Sequence, residues 1–331
     1  RDEGGAGAPA DWSVAVKLAV VLLNWRTPDM TLRALESTLT ALREVDGDWR
    51  VLIVDNDSGD GSEEKLRRAV EGTDRVEVVQ SGRNGGFGAG NNFGMRYALS
   101  SEPPEYFYIL NSDAFPASNA IRLLAEYLDT HADVGIVGSY IHGEDGEPHV
   151  TAFRFPTLQS EIEGSLRLGA VTRALREFEV PLGVPDETRD VDWLAGASMM
   201  VRRSVIEEIG FFDESFFLYF EETDLCRRAQ QAGYRVVYVR ESEVAHIGSA
   251  STGMKTWTKV PEYWFDSRRH YFLKNHGRAY LAAATAARLG GSALWQLRRR
   301  LQRKPDEDPP GFLSGLLRHS VKHLRREATP R

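Results

Sequence analysis

Tyr106-Phe107-Tyr108-Ile109-Leu110-Asn111-Ser112-Asp113 is the stretch from which the rest of the chain is read. Its apolar, aromatic start holds neither Gly nor Pro, which predicts a buried strand. The run stops at three small polar residues, and Pro116 closes the loop. In an open α/β sheet, ligands bind in the crevice beyond the carboxyl ends of the strands. A carboxylate there is a hard oxygen donor suited to Mg²⁺ or Mn²⁺ carrying a phosphate. Asn111 and Asp113 could equally cap a helix expected to begin near Ser118. By itself the stretch leaves both readings open.

Upstream, Lys17 to Trp25 and Trp49 to Val54 read as strands, the first buried on both faces. Helical spacing over Met30–Leu42 and Glu63–Val70 separates them from a short strand at Val76–Val79. Each strand ends in a polar or glycine-rich loop: Asn24-Trp25, Asp55 to Ser62, and Asn84 to Asn92. Strands alternating with helices at this spacing predict an α/β fold around a doubly wound, mostly parallel sheet with right-handed crossovers. The loops then share one edge. Each alone is also an ordinary turn, because Asp, Asn, Gly and Ser form turns. The Asn84–Asn92 run could offer backbone N–H groups to phosphates or sugars, with Gly permitting close approach. It is not a P-loop, since no Gly-Lys-Ser/Thr follows.

Downstream the pattern is less regular. A helix over Ala120–Thr130 and a strand at Val134–Gly138 precede a long variable region, Phe153 to Asp192. A strand at Tyr234–Val239 follows, with His246 expected in a loop. The chain has 331 residues, 42% hydrophobic and 27% charged, with net charge −7. That is the composition of a globular protein able to bury a sizeable core, and it argues against broad nucleic-acid binding. The single cysteine, Cys226, excludes an intrachain disulfide framework and fits a reducing cytosol. No run of about 18 uncharged apolar residues predicts a membrane span.

Several ordered segments together resemble glycosyltransferase family 2. They are Val54 to Ser58 with Gly61-Ser62, Asn84 to Asn91, Leu110 to Asp113, Trp193 to Val201, Gly210 to Glu214, Phe220 to Arg227, and Ala245-His246. The resemblance spans most of Lys17 to Gly277 and implies a GT-A domain, with the rhamnosyltransferases of bacterial surface polysaccharides as the most similar subgroup. It implies an inverting hexosyltransferase using a nucleotide-diphospho-sugar, with dTDP-L-rhamnose as the expected donor, and a saccharide, glycolipid or other glycoconjugate acceptor. A sugar-phosphate nucleotidyltransferase and a non-catalytic glycan- or nucleotide-binding module are the alternatives.

By that resemblance the donor-binding set is Asn24, Asp55, Asp57, Asn84, Gly85, Gly86, Asn91, Asn111, Ser112 and Asp113, with Asp55 on the base or ribose. Asn111-Ser112-Asp113 matches the DxD motif that holds metal and diphosphate, except that Asn replaces the first acid. Asp113 and His246 are the implied ligands of Mg²⁺ or Mn²⁺. Inverting transfer needs one carboxylate to take the acceptor's proton, and the motif match assigns Glu222, with Glu221 as fallback. Asp224 is expected to orient the loop or contact the acceptor. All three acids could instead merely complement a helix N-terminus. Trp193, Tyr219 and Phe220, with Phe217, could form a sugar platform or pack in the core. Arg268, Arg269 and Lys274 could meet a donor or lipid-linked phosphate.

The expected organisation is a disordered leader over 1–15, a GT-A domain over 16–280 and a basic amphipathic helical extension over 281–331. The extension reads either as an interfacial helix on anionic lipid or as a helix packed on the domain or in a homodimer. The chain is expected in the cytoplasm, with a peripheral place on the inner face of the membrane under the first reading.

Overall fold

The computed structural model describes residues 16–100, 103–248, 258–306 and 308–328; the expected leader lies outside them. Strands and helices alternate through the first half: β1 (Val16–Asn24), α1 (Pro28–Leu42), β2 (Asp48–Asp55), α2 (Ser62–Val70), β3 (Val76–Gln80), α3 (Phe87–Leu99) and β4 (Tyr106–Asn111). Short β5 (Ala114–Pro116), α4 (Ala120–Thr130) and β6 (Val134–His142) follow. Then come β7 (Ala152–Phe153), α5 (Leu158–Leu166), α6 (Gly169–Ala174), β8 (Arg189–Asp190), β9 (Trp193–Leu194), β10 (Ser198–Arg202) and α7 (Arg203–Ile209). The last elements are α8 (Glu221–Gln231), β11 (Arg235–His246), α9 (Glu262–Leu301) and α10 (Phe312–Ala328).

The central sheet runs β3-β2-β1-β4-β10-β6-β11-β5, with β8 beside β11. Strands β1 to β4 are mutually parallel, while β10 lies antiparallel between β4 and β6. Leu18 to Leu22 are fully buried, because α1, α2 and α4 cover one face of the sheet and α3 and α8 the other. Side chains on both faces of a parallel strand therefore leave water, each large one contributing roughly 1.5–3 kcal/mol.

Register turns this sheet into a site. Asn24 sits opposite Asp55 across β1 and β2, and Leu23 sits opposite Asn111 across β1 and β4. Three polar strand ends thus share one edge, as the apolar runs predicted. Asn111 and Asp113 do not cap α4: β5 intervenes, and the cap position is Asn119.

His246 is not in a loop, contrary to expectation. It ends β11, which continues past Val239 through a register shift at Glu243 and pairs antiparallel with β5, His246 against Ala114. The polar run Arg240-Glu241-Ser242-Glu243 interrupts the apolar pattern and hides that continuation from sequence reading.

Helix α9 breaks at Gly277, whose φ of 82° falls in the left-handed region that glycine tolerates. Its first part packs Tyr271 and Phe272 against Phe216; its second part runs along α5, and α10 packs beside both parts. Cys226 is buried in the sheet core, and burial pushes its thiol up to about 12, which removes it as a nucleophile.

Candidate active site

A cleft of about 310 Å³ opens at the carboxyl edge of β1, β2 and β4, lined by Trp25, Asn56, Asn84, Gly86, Phe87, Asn111, Ser112, Phe217, Leu218 and Tyr263. Of the expected donor set, Asn84, Gly86, Asn111 and Ser112 line it. Phe217, Leu218 and Tyr263 arrive from far along the chain and form the opposing wall. Sequence reading assigned no role at the cleft to Trp25, Phe87, Leu218 or Tyr263. An aromatic residue beside a turn is a weak local signal.

Asp55 is fully buried. Its carboxylate accepts from Asn24 Nδ2 at 2.7 Å, Ser58 Oγ at 2.6 Å, the Ser58 backbone at 3.0 Å and Gln80 Nε2 at 2.9 Å. A ligand reaches it only by displacing one of these donors, and half-exposed Gln80 is the most displaceable. Asn24 also accepts from Thr31 Oγ1 at 2.7 Å. The pair therefore stiffens the edge from behind. Asp57 is exposed and takes a positive φ of 56° at the loop tip.

Asn84 Oδ1 accepts from the Gly86 backbone N–H at 3.0 Å and from Asn56 Nδ2 at 3.2 Å, shaping the glycine loop. Gly85 follows it beside Ala89. Asn91 is buried outside the cleft and bonds back to the Phe87 carbonyl at 3.0 Å. Its neighbour Asn92 grips both backbone groups of Phe212, at 2.9 and 3.0 Å, and so docks α3 on the segment that leads into α8.

Asp113 Oδ1 lies 3.1 Å from His246 Nε2, brought there by the pairing of β5 with β11. An octahedral ion with bonds of about 2.1 Å holds neighbouring ligands roughly 3 Å apart, so this pair fits a divalent cation. The Asn111 amide is 3.5 Å from the same imidazole nitrogen. Its O and N positions are interchangeable by rotation, so it can turn a carbonyl oxygen inward. Ser112 Oγ bonds Thr27 Oγ1 at 3.0 Å.

The acids on α8 separate clearly. Tyr219 and Phe220, just before the helix, both hold positive φ, 69° and 71°. Such strain costs on the order of 1–3 kcal/mol per residue and tends to persist where it aims a functional group. Glu221 turns inward; burial, then the neighbouring Glu222, push its carboxyl well above the usual range. Burial also raises Glu222, but the Gly196 backbone N–H favours its ionised form. Gly196 precedes Ala197, whose carbonyl accepts from Asn111 N at 3.1 Å, which ties Glu222 to the strand edge.

Glu221→Gln should stabilise the fold as pH rises. A carboxyl raised in the folded state favours folding while protonated, and that contribution is lost as pH climbs through its folded pKa. The amide avoids the loss. Thermal midpoints recorded across pH should show the variant gaining on the wild type toward alkaline pH; parallel profiles would reject it.

Asp224 is held in ion pairs. It is fully buried and bridged by Arg228 Nε at 2.8 Å and Lys274 Nζ at 2.8 Å. Removing one member of such a pair costs roughly 3–5 kcal/mol, so these ion pairs fix Asp224 on α8 against α9. Lys274 also binds Asp213 at 2.8 Å; against the upward push of burial, Lys274 and His270 hold Asp213 well below the usual carboxylate range. Arg268 is buried against Glu161 at 3.0 Å. These two cations are committed to ion pairs rather than turned toward phosphate.

Trp193, Tyr219 and Phe220 do not form one platform in the cleft. Trp193 stacks on Phe153 at 4.1 Å and donates to the Arg154 carbonyl. Phe220 packs on Trp264 and Tyr271. Tyr219 stacks on the cleft residue Tyr263 at 6.4 Å.

Among solved structures, the fold matches a mannosyltransferase, PcManGT from Pyrobaculum calidifontis in complex with GDP-Man and Mn²⁺. The TM-score is 0.52 at 16% identity, covering 96% of this chain and 91% of that one. The architecture is that of the GT-A glycosyltransferases. The family profile described as Glycosyl transferase family 2 matches residues 28–210, and that of Glycosyl transferase family group 2 matches 185–295. The chain belongs to glycosyl transferase family 2 and is a glycosyltransferase, which sets aside the nucleotidyltransferase and the non-catalytic module. An N-acetylglucosaminyl-diphospho-decaprenol L-rhamnosyltransferase of Mycobacterium tuberculosis is 32% identical over 218 residues, 61% of this chain and 68% of that protein. A dTDP-rhamnosyl transferase of Shigella flexneri, RfbF, is 24% identical over 245 residues, 74% of each chain.

Proposed function

We propose that this protein is an inverting rhamnosyltransferase that moves L-rhamnose from dTDP-L-rhamnose to a hydroxyl of a saccharide or glycoconjugate. The observation that carries the reaction type is the arrangement of one strand edge: the Asp113–His246 pair at 3.1 Å lies beside a cleft whose backbone is tied to Glu222 through Gly196 and Ala197. The donor assignment rests on the named activities of the relatives.

Asn84, Gly86 and Ser112 position the nucleotide and its diphosphate, with Asp55 and Asn24 keeping the edge rigid. Asp113 and His246, with Asn111, would hold Mn²⁺ or Mg²⁺. When bound, that ion neutralises charge developing on the departing diphosphate. The acceptor oxygen attacks the anomeric carbon as the bond to the donor phosphate oxygen breaks, and its proton passes to Glu222. One displacement inverts the anomeric configuration. Leu218, Phe217 and Tyr263 screen the cleft from bulk water.

Incubation with a panel of nucleotide sugars and saccharide or lipid-linked acceptors tests the assignment. Nucleoside diphosphate release should be fastest with dTDP-L-rhamnose, vanish with chelator and return with Mn²⁺ or Mg²⁺. Equal release from every donor would remove the rhamnose assignment, and activity indifferent to chelator would remove the metal.

The C-terminal helices support contact with a lipid surface. No helix among the described residues is long and apolar enough to cross a membrane. Leu294, Leu297 and Leu301 nevertheless lie on one face of α9, 58%, 60% and 78% exposed, and Leu317 and Leu324 on one face of α10 are 51% and 66% exposed. Arg299, Arg300, Arg318 and Lys322 lie among them in sequence, a basic amphipathic pattern suited to anionic headgroups. The full chain should sediment with anionic vesicles and much less with neutral ones, and Leu297→Glu with Leu301→Glu should release it. Retention of that double variant on anionic vesicles would refute the surface.

A further inference from the structure

Helix α10 returns along α9 and places two histidines over one aspartate, far in sequence from the catalytic edge. His319 Nε2 is 2.7 Å from Asp266 Oδ1, and His323 Nε2 is 3.5 Å from the same oxygen. One potential ligand atom from each residue falls within a group whose members all lie within 4.8 Å of one another. His319 and His323 stand one helical turn apart on the same face, with ring centroids 4.4 Å apart. His319 is buried, His323 half-buried and Asp266 exposed.

Two imidazoles at this spacing on a helix, joined by a carboxylate from a neighbouring element, make the donor set of a zinc-class site. With bonds of about 2.0–2.1 Å, tetrahedral coordination sets ligand atoms roughly 3.3 Å apart, a spacing bracketed by the distances seen. The nearby ammonium of Lys322 is drawn aside by Glu262.

The location gives the ion something to do. Val260, Phe265, Phe312 and Leu316 form a small apolar cluster between the helices, and a helix of 17 residues is marginal without such packing. Phe265 lies against His319 with ring centroids 5.8 Å apart, and its neighbour Trp264 packs on Phe220, the residue before Glu221. We propose that Asp266, His319 and His323 bind a Zn²⁺-class transition-metal ion, with water as fourth ligand, that clips α10 to α9 and braces the wall behind the acidic turn.

The full chain, stripped with chelator and re-equilibrated with Zn²⁺, tests this by metal analysis after dialysis. Wild type should retain about one equivalent more than His323→Ala and than Asp266→Asn, a stoichiometric loss expected for a three-ligand site. Ions held at the Asp113–His246 edge are common to all three proteins and cancel. Asp266 is exposed, so its amide variant preserves the fold even if His323→Ala does not. Zn²⁺ should also raise the thermal midpoint of the wild type more than that of Asp266→Asn, because a ligand of the folded state stabilises it. Equal zinc retention by wild type and Asp266→Asn, or no retention by either, would overturn the proposal.

Discussion

Glu222→Gln is expected to lower sugar transfer by roughly 10²–10⁴-fold, the usual contribution of a positioned base, while nucleotide affinity stays near the wild-type value. The amide keeps the shape of the side chain and its contact with the Gly196 backbone N–H, but accepts no proton. Only the step in which the acceptor hydroxyl loses its hydrogen should fail. Calorimetric titration with nucleotide and an assay of diphosphate release separate the two quantities. Because burial raises the Glu222 carboxyl, wild-type transfer should fall as pH drops through that raised value, where the base becomes protonated. The residual activity of the variant should lack this limb. Wild-type turnover in Glu222→Gln would remove the residue from the reaction and return attention to Glu221.

Gly86→Ala should damage fold and cleft together. The backbone there has φ 89° and ψ −173°, a region essentially reserved for glycine, in which a side chain costs on the order of 1–3 kcal/mol. An added Cβ would also sit 1.7 Å from the Phe217 carbonyl oxygen. That oxygen accepts from Phe87 N at 3.1 Å, and losing the bond costs about 1 kcal/mol more. The glycine loop and the aromatic wall must then part, which widens the cleft between them. The thermal midpoint should fall by several degrees and donor affinity by at least about tenfold, the equivalent of roughly 1.4 kcal/mol. Gly290→Ala is the control, since its added carbon meets nothing within 4 Å. A Gly86→Ala protein with wild-type stability and affinity would show that the loop relaxes freely.

These two positions differ in how far the sequence revealed them. Glu222 was assigned through a motif match; what the fold adds is that burial raises both carboxyls and that the Gly196 backbone N–H lies against Glu222. Gly86 was read as a residue that lets backbone approach a ligand, whereas the closest approach is to Phe217, 131 residues away. Asp224 shows the same limitation. Its place on the first turn of α8 was legible, but its neutralisation by Lys274, 50 residues later, depends on how α9 packs. Trp193 and Phe220 were candidates for a sugar platform because an aromatic side chain serves a surface or a core equally well. Only neighbours decide which, and Phe153, Trp264 and Tyr271 are those neighbours.

From the sequence came the alternation of buried strands and helices, the polar strand ends at Asn24, Asp55 and Asn111, and the family. All three follow from local pattern: apolar periodicity sets the element, and a polar break ends it. Tertiary structure decided what those ends do. Strand register set Asn24 against Asp55, and the pairing of β5 with a bulged β11 carried His246 to Asp113. The far wall of the cleft came from Phe217, Leu218 and Tyr263. Those contacts join segments remote in the chain, and desolvation, cross-strand register and ion pairing exist only once the segments meet.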